Sequence, residues 1–159
     1  MHPPSPLVPS DWSPCDPFPA LKPLRSFLDD QGARDRVRVA YFRRGGEPIL
    51  LGRVWFGPAA EGPPGHAHGG SVAAVLDEAL GASAWLVGHQ VVVARLVVDF
   101  REMVPLGTDA TVEASVVAVD GRKVTCRARL TDGATLLAEG EALCVTRDFA
   151  ALGERIPHS

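Results

Sequence analysis

Nowhere in this sequence do uncharged apolar residues continue for the ~20 positions that a membrane-spanning helix needs, so no membrane span is expected. The N-terminus lacks the unbroken apolar stretch of a secretion signal, because prolines interrupt it from Pro3 onward, and the expected setting is cytoplasmic. Cysteine is scarce. Cys15, Cys126 and Cys144 are an odd number, far apart and without a C-x-x-C, which fits reduced thiols and neither a disulfide frame nor a zinc site. Cys126 and Cys144 are expected to pack in the core. Charge of one sign is also missing: Lys+Arg 16 stand against Asp+Glu 19, and the basic residues are scattered, so the footprint of a nucleic-acid binder is absent. His66-x-His68 has no third ligand at useful spacing, and the glycine-rich loop around it lacks the Gly-Lys-Ser/Thr of a phosphate loop. Neither a metal nor a cofactor is expected.

What is present begins with 46% apolar residues in 159, enough for one compact domain with a real core. Seven of the 14 prolines fall between Pro3 and Pro19, where missing backbone donors deny both helix and ladder. Residues 1–20 therefore read as an extended or disordered arm outside the catalytic unit, followed by a single domain over 21–149 and a tail over 150–159. Leu21, Leu24, Phe27 and Leu28 recur at helical spacing before Gly32, predicting a short amphipathic helix over Leu21–Gln31. Val37, Val39 and Tyr41 alternate with Arg36, Arg38 and Ala40, Gly45-Gly46 offers a turn, and Ile49–Phe56 resumes an apolar run: a hairpin.

After a stiff then flexible loop from Glu61 to Gly70, Ser71–Val87 is apolar all round except for Asp77, Glu78 and small polar residues, which marks a buried helix. Three β-branched segments follow, Gln90–Met103, Asp109–Asp120 and Arg122–Arg147, the last broken by Asp132-Gly133, and they predict an antiparallel meander of four strands. Two strands, a buried helix and four more strands bury that helix only when the sheet curls around it, so the fold class is α+β.

Asp77 and Glu78 have no Lys or Arg three or four positions away. An unpaired carboxylate on a buried helix is costly, so it is either paired from another element, placed at a subunit edge, or used in chemistry. At the helix start, Gly69 and Gly70 present free N–H groups at the positive end of the dipole, where a ligand oxygen can approach closely; the alternative is a merely flexible glycine lead-in. His68 and Asp77 are nine residues apart, ~13 Å along a helix and on opposite faces. If both ends act on one carbonyl, the site is assembled from two subunits. Glu78, ~100° around the helix from Asp77, is then expected to face away from it. Arg101, Arg127 and Arg129 alternate on strands, as solvent-facing arginines or as contacts for phosphate.

The run Glu61-Gly-Pro-Pro-Gly-x-x-His-Gly-Gly, the nine-residue step from His68 to Asp77 and the strand Ala94-Arg-Leu-x-Val-x-Phe-Arg with Pro105 beyond it resemble the hotdog-fold acyl-CoA thioesterases of the phenylacetic-acid-degradation type and their mitochondrial relatives. The resemblance covers Glu61–Phe149. It implies a long antiparallel sheet wrapped around a central helix, an acyl-CoA substrate lying along the interface of a homodimer or tetramer, and hydrolysis with Asp77 as nucleophile or general base. It also implies an oxyanion hole at the Gly69 N–H, a loop shaped by His68, and substrate contacts at Gly70, Val93 and Arg101. Two positions depart from the pattern: Val93 replaces a Ser or Thr hydroxyl, and Glu102-Met103 replaces a basic-Pro pair. Val93 leaves open an acyl-CoA-binding protein with little turnover. A hotdog dehydratase would need a helix histidine, and Ser71–Val87 has none.

Overall fold

Alternation in the sequence decides which strand faces look inward. The computed structural model describes residues 7–18, 27–28 and 35–153. In chain order the elements are β1 (Trp12–Pro14), β2 (Val37–Arg44), β3 (Ile49–Phe56), α1 (Gly69–Leu86), β4 (Val91–Phe100), β5 (Asp109–Asp120), β6 (Lys123–Asp132), β7 (Thr135–Thr146) and α2 (Phe149–Gly153). Along β6, Val124, Cys126, Ala128 and Leu130 are buried while Arg127 and Arg129 point outward, the period-two pattern of a sheet wet on one side. The inward residues of β3, β5, β6 and β7 close over α1. Leu76 and Leu80 of α1 have no exposure, and each contributes about 2 kcal/mol relative to an exposed side chain.

All strand pairs are antiparallel, in the order β1-β2-β3-β5-β6-β7-β4. The hairpins β5–β6 and β6–β7 turn through two residues each, with Gly121 and Gly133 at the first loop position at φ 57° and 56°, a left-handed conformation open to glycine. Only β5–β7 form the expected meander. β4 instead crosses to the far side of β7, and among the described residues it pairs on that side alone, leaving its other edge open.

The proline-rich arm also departs from expectation. Trp12, Ser13 and Pro14 pair with Arg44, Arg43 and Phe42 of β2, and Trp12 packs against Phe42 at 5.9 Å. A ladder is possible here because it is three residues long, lies at the sheet edge and has its proline at the end, where a missing donor costs little. The helix expected over Leu21–Gln31 lies outside the described residues apart from Phe27 and Leu28. Among the described residues no helix is long and apolar enough to cross a membrane.

Candidate active site

The Glu61–His68 loop is pinned rather than flexible. The Gly65 N–H donates to Glu61 Oε2 (2.8 Å), the Ala67 N–H to the Val104 carbonyl (2.8 Å), and the His68 N–H to the Ala60 carbonyl (2.7 Å). A Cβ on Gly62 would stand 2.7 Å from His68 Cα, so the chain needs glycine there to let the two backbones meet. These bonds fix the start of α1.

His68 is the N-cap of α1, in extended backbone (φ −61°, ψ 135°), and its Nδ1 accepts from the Gly70 N–H at 2.8 Å. That bond places the proton of the neutral ring on Nε2. It also spends the Gly70 N–H on the cap, and the Ser71 and Val72 N–H groups go to the His68 carbonyl. The Gly69 N–H has no partner among the described residues. It is the one donor of the first turn left to meet a ligand. Gly69 lies beside Phe100 in a depression of about 340 Å³ that Arg101 and Met103 also line. Arg101 itself is ion-paired to Glu139 at 2.8 Å and to Asp99 at 3.8 Å, the ordinary state of an arginine on a sheet surface.

Asp77 emerges on α1 about two and a half turns after His68, in a different depression of about 370 Å³ shared with Gly81, Trp85 and Val93. No hydrogen bond or ion pair reaches its carboxylate among the described residues. The side chain is exposed on the single chain, yet enough protein surrounds it for desolvation to raise its carboxyl above the ordinary value. Val93 faces α1 in this depression, its Cγ2 3.8 Å from where a Cβ on Gly81 would stand, so it shares the depression with Asp77.

Glu78 corrects an expectation. It lines the same depression as Asp77, and it accepts a 2.7 Å hydrogen bond from the hydroxyl of Tyr41 on β2. The depression is wide enough to span the ~100° between neighbouring helix positions. Burial, and then the carboxylate, push the Tyr41 hydroxyl well above its usual range. Sequence reasoning passed over Tyr41, although the only tyrosine of the chain at an inward β2 position was a signal for a buried hydroxyl that needs a partner. His66 Nδ1 lies 2.9 Å from the Pro64 carbonyl, within its own loop.

α1 therefore carries two separated features: at its N-terminus an N–H without a partner among the described residues, and further on the partly desolvated carboxylate of Asp77, likewise without one. β4 runs antiparallel to α1, with Val93 at the Asp77 end and Phe100 at the Gly69 end.

Residues 64–139 match the family model of the thioesterase superfamily. The chain is 38% identical over 91 residues to acyl-coenzyme A thioesterase THEM4 of Xenopus laevis, covering 56% of this chain and 41% of that protein. It is 34% identical over 89 residues to acyl-coenzyme A thioesterase THEM5 of Mus musculus, covering 55% and 36%. The matches span about two-fifths of the length of these curated relatives. Among solved structures, a thioesterase superfamily protein aligns with TM-score 0.60 at 29% identity, over 67% of this chain and 53% of that one. The PaaI protein from the phenylacetic acid degradation operon of E. coli aligns with TM-score 0.62 over 70% and 80%, and at 13% identity it speaks for the hotdog fold alone.

Proposed function

We propose that this chain, whose residues 64–139 match the family model of the thioesterase superfamily, is a member of that family and hydrolyses an acyl-CoA thioester at a site shared by two copies of itself. The names of its acyl-coenzyme A thioesterase relatives support the substrate class. The observation that carries the shared site is the separation of the unused Gly69 N–H from Asp77 on one helix, together with the open edge of β4. When two β4 strands pair antiparallel, the Asp77 end of one subunit lies against the Gly69 end of the other. The Gly69 N–H then stabilises the oxyanion that forms at the thioester carbonyl, and the dipole of α1 adds to it. Asp77 from the other subunit either attacks the carbonyl carbon, forming a mixed anhydride as coenzyme A thiolate leaves, or removes a proton from a water that attacks that carbon. Both routes break the C–S bond, and water supplies the oxygen of the released carboxylic acid, by hydrolysing the anhydride in the first route and by direct attack in the second. Arg101, at the mouth of the Gly69 depression, is placed to meet coenzyme A phosphates when it leaves Glu139. Cys126 and Cys144 are buried unbridged thiols, which suits the cytoplasm.

Val93 favours a second reading, an acyl-CoA-binding protein with little turnover, because it puts no hydroxyl beside Asp77. Release of free thiol separates the two. The enzyme reading expects Asp77→Asn to lower kcat by roughly 10³-fold with little change in acyl-CoA affinity. Gly69→Pro removes the proposed oxyanion donor at a first helical position that tolerates proline, after a residue already in extended backbone, and should cost roughly 10²–10³ in kcat. Neither inactive variant can act alone. After subunit exchange, a mixture of the two should regain about a quarter of wild-type activity, because half the dimers are then mixed and each carries one intact site. No recovery after verified exchange would place both groups in one chain.

A further inference from the structure

The arm expected to lie outside the catalytic unit ends against its wall. β1 is held on β2, the Cys15 N–H donates to the Tyr41 carbonyl at 3.1 Å, Pro17 is buried, and the Phe18 N–H donates to Asp16 Oδ1 at 2.9 Å. This bonded path delivers the Phe18 ring edge-on to Trp85, with centroids 5.6 Å apart and planes at 75°. Trp85 is itself fixed by its Nε1–H donating to the Val91 carbonyl at 3.1 Å and by Phe149 at 4.7 Å. Phe18 and Trp85 line the depression that holds Asp77, and so do Val92 and Val93.

The two depressions differ in chemistry. The Gly69 depression has Arg101 at its rim, which suits the phosphorylated half of a thioester substrate. Among the described residues the Asp77 depression has no cation in its lining; beyond its two acids the lining is apolar, and one acid, Glu78, is engaged by Tyr41. From a carbonyl held at Asp77, the acyl group therefore extends toward the aromatic side. We propose that Phe18, seated on Trp85, is a specificity-determining residue that closes the acyl end of the site and sets how long an acyl group the protein accepts. This rests on the thioesterase reading above.

Replacing the ring in either direction tests it. The ratio of kcat/KM for dodecanoyl-CoA to that for hexanoyl-CoA should rise about tenfold in Phe18→Ala, which opens the wall, and fall in Phe18→Trp, which thickens it. The ratio of Kd values for dodecanoyl-CoA and hexanoyl-CoA, measured by calorimetry in the Asp77→Asn background, should shift the opposite way, falling in Phe18→Ala and rising in Phe18→Trp, because tighter binding is a smaller Kd. A general loss across both substrates, or ratios within about twofold of wild type in both variants, would overturn the assignment, because a wall that meets the chain discriminates by length. If the wild-type protein hydrolyses neither thioester while the Kd ratios still shift, the enzyme reading falls and Phe18 keeps its role at a binding site.

Discussion

Asp77 is a side chain whose stability effect and proposed chemistry have one origin. Desolvation raises its carboxyl, so the folded protein holds that proton more tightly than the unfolded chain does. The favourable contribution of such a group is complete below its unfolded value and is lost as pH rises through the folded value. At neutral pH the charged group is a burden to the fold. Asp77→Asn removes the titration while keeping the shape, so its gain in Tm over wild type should be larger at about pH 7 than at about pH 4. A gain that is equal at both values, read by calorimetry, would show that the carboxylate is fully solvated in the assembled protein. In the proposed reaction the same desolvation would keep the carboxylate reactive, so that a residue that weakens the fold would serve activity. Val93 beside it is the opposite case: a well-packed β-branched side chain where a hydroxyl would have served water.

At the scale of elements, α1 is locked to the sheet at the height of Asp77 by the Tyr41–Glu78 hydrogen bond, which spans 37 residues of sequence. Tyr41→Phe removes the donor from a part-buried charged acceptor, and should destabilise the protein by about 1–3 kcal/mol in urea unfolding. A loss of turnover larger than the loss of folded protein would add a positioning role for this bond. An unchanged midpoint would mean that the hydroxyl is as well satisfied by water. The spans of β2 to β7 were legible because their apolar and β-branched runs are set off by Gly45, Gly121 and Gly133, whereas β1, hidden among prolines, was not; α1 was legible because its apolar residues go all the way round. These are local signals. The pairing of β4 with β7, the partner of Glu78 and the seat of Phe18 on Trp85 are contacts between distant positions, and no local period records them. Asp77 and Gly69 stood out for the opposite reason: a lone carboxylate and a bare helix start break the local pattern.

For the whole molecule, the open edge of β4 is the feature that a single chain leaves unresolved. Ten residues long and carrying exposed Val92, Val97 and Phe100, it has none of the short length, proline or lysine that protects a free edge from pairing. Its only arginine, Arg95, stands near the midpoint. The proposed antiparallel self-pairing would satisfy the backbone along this edge, cover the exposed apolar side chains and bring Asp77 of one copy to Gly69 of the other in one step. Val97 is the position at which to break it. It lies opposite Glu141 of β7, so Val97→Lys gains an acidic neighbour within the single chain and should leave the fold intact. Near the two-fold axis of a β4 pair, however, each lysine would lie close to its own copy and to the arginines at position 95, and like charges held so close oppose association. The expected result is a folded monomer in sedimentation, with an unchanged circular dichroism spectrum and with turnover lost although Asp77 and Gly69 are untouched. A monomer that retained full turnover would show that one chain holds a complete site, and the separation of Gly69 from Asp77 on α1 would then need a different account.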